Sequence, residues 1–161
     1  MSVKPIPEDM HSITPHLVCA NAPAAMDWYV KAFGAVDLAR MMAPDGKTLM
    51  HGMIGIGDSK IMLAEENPQW NSRGPKLLGG SPVTLHHYVK DVDASFKRAV
   101  DAGATATMPP ADMFWGDRYG IVTDPYGHNW ALATHVKDMS PEEMAEGMKT
   151  MCSEAAEGSK S

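Results

Sequence analysis

Cysteine is scarce in this chain: the two present, Cys19 and Cys152, lie in a predicted strand and a predicted terminal helix and make neither a disulfide framework nor the spacing of a zinc site. Both are expected as reduced thiols. Basic residues are also few, 14 against 20 acidic, and the net charge of −6 with a pI near 5.6 leaves no surface able to neutralise a series of phosphates. Nucleic acid is thereby excluded as a partner. No stretch of about 18 apolar residues is available to cross a membrane, and the opening MSVKPIPEDMH lacks the apolar core of a signal peptide. A cytoplasmic location follows as the expectation. Also missing are a nucleophile elbow, a phosphate loop and an HxxxH pair, so covalent catalysis and phosphate chemistry have no residues to carry them. What is present is 44% apolar residues in a chain of 161, enough for one packed domain or two small modules sharing a core.

An internal echo favours the modules. Thr14, His16 and Asn21 recur in character seventy positions later as Thr84, His86 and Asp91, each set running from a β-favourable segment into a helical pattern. Asn21 and Asp91 are N-cap residues, and both helices stop at Gly-Ala, Gly34-Ala35 and Gly103-Ala104. In the first module (12–65) a strand at 12–20 leads to a helix at 22–33 with Ala25, Met26, Tyr29 and Phe33 on one stripe, then strands at 36–43, 48–56 and 60–65. The second (83–136) repeats the order, with a strand at 82–90, a helix at 92–102 and strands near 104–108, 118–123 and 129–135. The fold class is therefore α+β, two β-α-β-β-β modules. The 66–82 connection, rich in Gly and Pro, reads as a linker or a lid, with Trp70 and Arg73 its residues suited to ligand contact. Ser140 and Glu143 form a capping box that opens a C-terminal helix over 140–156, and its Met144, Met148 and Met151 fall on one face, which asks for a covering surface.

The segment 114–135 fixes the register of the second module. Asp124-Pro125-Tyr126-Gly127 is a turn, because Pro presets φ and Gly tolerates a positive one. A strand runs on either side, and Trp115, Arg118 and Tyr119 lie at one end of the pair. A guanidinium beside aromatic rings suits a carboxylate or a planar ligand; the alternative is that Arg118 pairs with Asp117 or Asp124 and pins the hairpin. Asp124 and His128, which flank the turn, read as structural.

Two β-α-β-β-β modules, Asp27-Trp28-Tyr29 leading into Ala32-Phe33-Gly34-Ala35, and the WGxRxG…DPxGHxWxLAT pattern together resemble the vicinal oxygen chelate superfamily, in its glyoxalase/bleomycin-resistance/dioxygenase type and PhnB-like subgroup. The resemblance covers about residues 12–136. It implies a cup-shaped mixed sheet enclosing a cavity, and a homodimer. It does not choose among metal-dependent lyases, isomerases, dioxygenases and metal-free antibiotic-sequestering proteins. The metalloenzymes of the family place four ligands on the first and last strands of the modules. Aligned through the helix starts and the DPxG turn, these positions fall at Thr14, Met62, Thr84 and Ala131, with no His, Asp or Glu among them. A shift of two along the first strands offers His16 and His86, but the last strands then give Ala64 and Ala133, or Lys60 and Asn129.

Strand alternation puts His16, Val18, Thr84, His86 and Tyr88 on the cup face with Met62 and Ala64, and turns Leu17, Leu85 and His87 toward the helices. The expected ligand site is accordingly His16, Met62, Thr84, His86, Tyr88, Trp115, Arg118 and Tyr119, holding a small organic metabolite or antibiotic without a cofactor. The competing expectation is a metal-dependent lyase or dioxygenase whose divalent metal sits at a displaced His16/His86 site.

Overall fold

The structure is a computed structural model that describes residues 3–158. Along the chain run β1 (His16–Cys19), α1 (Ala22–Phe33), β2 (Val36–Met42), β3 (Leu49–Ile56), β4 (Ser59–Glu65), the short α2 (Pro75–Leu78), β5 (Thr84–Tyr88), α3 (Val92–Asp101), β6 (Thr105–Asp112), β7 (Asp117–Thr123), β8 (Asn129–His135) and α4 (Pro141–Gly158). The strands form two four-stranded mixed sheets, ordered β1-β4-β3-β2 and β5-β8-β7-β6. In each the first strand runs parallel to the last while the other neighbours are antiparallel. The internal echo is thus a repeat of topology.

Local chemistry explains the two main helices. The Asn21 and Asp91 side chains accept hydrogen bonds from the amides of Ala24 and Ala94, satisfying donors that the first helical turn leaves free. Gly34 closes α1 in the left-handed conformation. The buried stripe of α1, Ala25, Met26 and Tyr29, packs with Leu17, Ile54 and Leu63 from the strands. The modules share this core. Trp130 of β8 lies 4.6 Å from the Phe33 ring and 5.5 Å from Tyr29, the Trp28 indole donates to the Ala102 carbonyl at 2.8 Å, and Arg98 of α3 donates to the Lys31 carbonyl at 2.7 Å.

Four differences from the expected layout have physical causes. β1 begins at His16, because its ladder opens with the Pro15 carbonyl accepting from Met62, so Thr14 precedes the strand. β6 extends to Asp112 through Pro109-Pro110, which an edge strand tolerates on its unpaired side. The 66–82 connection carries a 3₁₀ turn at Pro68–Trp70 and then α2, and it is anchored where the Gly74 amide donates to Glu66 at 2.7 Å and Pro75 is buried. The capping box forms as read, with the Ser140 amide on Glu143 at 2.8 Å and the Glu143 amide on the Ser140 hydroxyl at 3.1 Å. The Met face of α4, however, stays exposed; the helix approaches Phe114 through Gly147, where a Cβ would fall 2.5 Å from the Phe114 side chain.

Candidate functional site

In the second sheet the odd and even positions separate cleanly. Leu85, His87, Gly120, Val122, Trp130 and Leu132 turn toward the helices, whereas His86, Tyr88, Asp117, Tyr119, Ile121, Ala131 and Ala133 share the helix-free face. On that face the rings form a continuous strip: Tyr88 lies 4.6 Å from His86, His86 stacks 5.7 Å from Tyr119, and Tyr119 meets Trp115 edge-on at 5.5 Å. The small side chains of Ala131 and Ala133 beneath leave the ring faces uncrowded. Thr84 and Tyr88 are exposed at the two ends of β5.

Behind the strip sits a carboxylate that sequence reading passed over. Asp117 is buried at 3% exposure, and accepts from the Tyr88 hydroxyl at 3.0 Å, the Trp115 indole at 3.1 Å and His135 Nδ1 at 2.7 Å. His135 Nε2 lies 2.9 Å from Asp138. Burial alone would lift the Asp117 carboxyl, but the bonds from His135, Tyr88 and Trp115 prevail and hold it below the usual range. Donation to a carboxylate in turn raises the Tyr88 phenol. Gly116 is required at this corner: its φ is +98°, and a Cβ would collide with the Lys137 carbonyl. Asp117 was legible in principle, lying two residues before Tyr119 on the same strand face, as His135 lies two beyond Ala133.

Asp138 first and Asp117 second raise the His135 pKa above 6.5. A group whose folded pKa exceeds its unfolded one stabilises the fold fully below the unfolded value, and that contribution disappears as pH rises through the folded value. An NMR titration is therefore expected to place the His135 midpoint above 6.5. Stability in urea should fall as pH rises from about 6.5 through that midpoint, and His135→Gln should flatten this limb. A midpoint at or below the free imidazole value would contradict the bridged geometry.

The first sheet presents His16, Val18, His51, Met53, Met62 and Ala64 on its helix-free face. His16 stands opposite Met62 and Met53 opposite Met62, while the His16 and His51 rings are 6.1 Å apart and nearly perpendicular. His51, whose facing was open from sequence, belongs to this face. In the register of the sheets the residue opposite Met62 is His16, and the one opposite Ala131 is His86. Those positions carry two imidazoles, a thioether and an alanine, and the described residues contain no group of three or more His, Cys, Asp or Glu placed to hold a metal ion.

Other candidates resolve as framework. Arg118 projects away from Trp115 and Tyr119, and bonds Asp93 through both Nε and Nη2, at 2.7 and 2.9 Å, and Asp112 at 3.2 Å. It pins α3 and β6 to β7, since alternation gives it the opposite face from Tyr119. Its expected partners, Asp117 and Asp124, are engaged elsewhere. Asp124 is buried beneath the turn, and His128 Nε2 lies 2.9 Å from the Val18 carbonyl in the first module. Both hold structure, as expected. His87 is packed edge-on against Phe33 and burial lowers its pKa. Burial pushes the Cys19 thiol up to about 12, so it is no nucleophile at neutral pH. Trp70 is exposed at 68%, outside the strip.

Between the modules, a cavity of about 550 Å³ opens from the Gly57–Lys60 turn to β5, with Ile13, Lys60, Leu85, His86 and Tyr88 on its walls. Its size suits a small organic molecule, for which about 300–1,000 Å³ is usual.

A repeated β-α-β-β-β unit with paired sheets and a mixed aromatic and polar face defines a vicinal oxygen chelate fold. The chain belongs to the glyoxalase/bleomycin resistance protein/dioxygenase superfamily, whose sequence model matches residues 10–132. Among its relatives is the uncharacterised protein Mb0911c of Mycobacterium bovis, 46% identical over 142 residues, spanning 86% of this chain and 93% of that one. Among solved structures, TioX from a Micromonospora species is 27% identical with a TM-score of 0.61, over 78% of this chain and 99% of TioX. A PhnB protein from Bacillus cereus shares the fold at 17% identity and a TM-score of 0.59, over 77% of this chain and 99% of that one. Among the described residues no helix is long and apolar enough to cross a membrane.

Proposed function

We propose that this protein binds a small organic molecule, a metabolite or an antibiotic with a planar ring, against the aromatic strip of its second module, with no divalent metal at the family's ligand positions. The observation that carries this reading is the strip itself: Tyr88, His86, Tyr119 and Trp115 in mutual contact beside a 550 Å³ cavity. Ring faces supply apolar burial and stacking, while His86 and Lys60 at the cavity wall supply polar contacts that orient a ligand. Met62 and His16 lie together on the helix-free face of the first module. The protein works as a cytoplasmic homodimer in this reading, its exposed β2 being a surface that a second copy covers.

Tryptophan fluorescence of the full chain, titrated with bleomycin and with a panel of planar aromatic and heteroaromatic compounds, tests the reading. A binder should quench emission. Each aromatic pair is worth about 0.5–1.5 kcal/mol, so His86→Ala combined with Tyr119→Ala is expected to weaken binding about tenfold while the fold persists. Unchanged affinity in that double variant would reject the strip as the site. Stoichiometric Zn²⁺, Ni²⁺, Mn²⁺ or Fe²⁺ in protein purified without chelators would reject the absence of a divalent metal. Sedimentation as a monomer would reject the dimer alone.

A further inference from the structure

The helix-free face of the first module gathers soft donors. Across three adjacent strands lie His16 on β1, Met62 on β4, and Met53 and His51 on β3, with His16 and Met53 each directly opposite Met62. Met41 of β2 stands opposite His51. We propose that this face binds one monovalent soft cation, Cu(I) or its surrogate Ag(I), through His16, His51, Met53 and Met62. The proposal goes beyond the organic-ligand reading and does not depend on it, since none of the four residues belongs to the aromatic strip.

Ring geometry permits a shared ion. A metal–nitrogen bond of about 2.0 Å, added to about 1.2 Å from nitrogen to ring centre, puts two imidazoles on one ion at most about 6.4 Å apart. His16 and His51 are 6.1 Å apart with their planes at 82°. The thioethers of Met53 and Met62 arise from neighbouring strands about 4.8 Å apart, and their three rotatable bonds let sulfur reach an ion between the rings. Donor chemistry selects the metal. Two neutral imidazoles and two thioethers carry no negative charge, which disfavours a hard divalent ion, whereas thioether sulfur favours Cu(I). The N-terminal arm lies over the methionine side of the site: residues 5–12 face Met53 and Met62 across a cavity of about 630 Å³, and Asp9 lies 3.9 Å from Lys60. Met10 and His11 on that arm line the same cavity.

The test is an anaerobic titration of the full chain with Cu(I) buffered by bicinchoninate, followed at the chelator's absorbance. One equivalent is expected to transfer to the protein, with mixed nitrogen and sulfur scattering in the X-ray absorption spectrum. His51→Ala and the double variant Met53→Leu, Met62→Leu are each expected to weaken retention by more than the about 10–100-fold that loss of an outer metal contact causes. Leucine conserves methionine's volume, so the double variant keeps its fold, which circular dichroism verifies. Cys152→Ser, removing the exposed thiol, should leave retention unchanged. Failure to draw copper from the chelator, full retention in the methionine variant, or loss in Cys152→Ser would each overturn the assignment.

Discussion

Asp124→Ala is expected to destabilise the protein by about 3–5 kcal/mol, since each buried donor that loses its acceptor costs about 1–3 kcal/mol and several lose it at once. Asp124 is 4% exposed and accepts four hydrogen bonds, from the Tyr29 hydroxyl at 2.6 Å, Trp130 Nε1 at 2.9 Å, and the amides of Tyr126 and His128 at 2.9 and 3.0 Å. Tyr29 belongs to α1 and the others to the second module, so this carboxylate joins the two halves of the shared core. Alanine would leave the Trp130 indole N–H buried with no acceptor and the Tyr29 phenol with only the weakly accepting Cys19 sulfur. Against a total stability of about 5–15 kcal/mol, that loss puts the variant near the unfolding threshold. Tyr29→Phe removes one donor and leaves the carboxylate three, so it should cost less, about 1.5–3 kcal/mol. Urea denaturation of both variants checks the order; a loss under about 1 kcal/mol for Asp124→Ala would contradict the network.

Asp117→Ala is the second large effect, about 3 kcal/mol of stability, because Tyr88, Trp115 and His135 all direct donors at this buried carboxylate. Its consequences differ from those of Asp124. Tyr88 and Trp115 are members of the aromatic strip, so the variant should also lose ligand binding and shift Trp115 emission. Asp117→Asn tests charge against shape: its oxygen still accepts, but its NH₂ meets another donor, so it should recover less than half of the lost stability. The His135 pKa should fall in either variant yet stay above 6.5, since Asp138 is the larger cause of its rise. Wild-type binding and an unmoved His135 titration in Asp117→Ala would remove the carboxylate from the site.

Much of the backbone was legible because its signals are local. Asn21 and Asp91 cap helices through their own side chains, the Ser140–Glu143 box closes over four residues, and Asp124-Pro125-Tyr126-Gly127 turns by its own φ preferences. Alternation along β5 separated His86 and Tyr88 from Leu85 and His87 without knowledge of the neighbouring strands. Non-local partners were not legible. Arg118 had two acidic residues nearby in sequence and chose Asp93 of α3, 25 positions away, together with Asp112. The Asp117 site needs three strand ends and the Trp115 corner to converge, and only the positive φ of Gly116 lets them. His16 and His51 meet because β4 lies between β1 and β3, a strand order that follows from the parallel pairing of β1 with β4.

By itself the sequence determined the repeated β-α-β-β-β plan, the helix ends, the facing of the residues of β1 and β5 and the family, since period-two alternation, capping and turn chemistry act within a few residues. The tertiary structure decided which of those faces are populated by communicating side chains. It set His16 opposite Met62 and His86 opposite Ala131, paired Arg118 with Asp93, and brought Asp117 and His135 together behind the aromatic strip. Register and ion-pair choice are set by distances between segments remote in the chain, where burial of charge and packing of rings decide the outcome and local propensity has no influence.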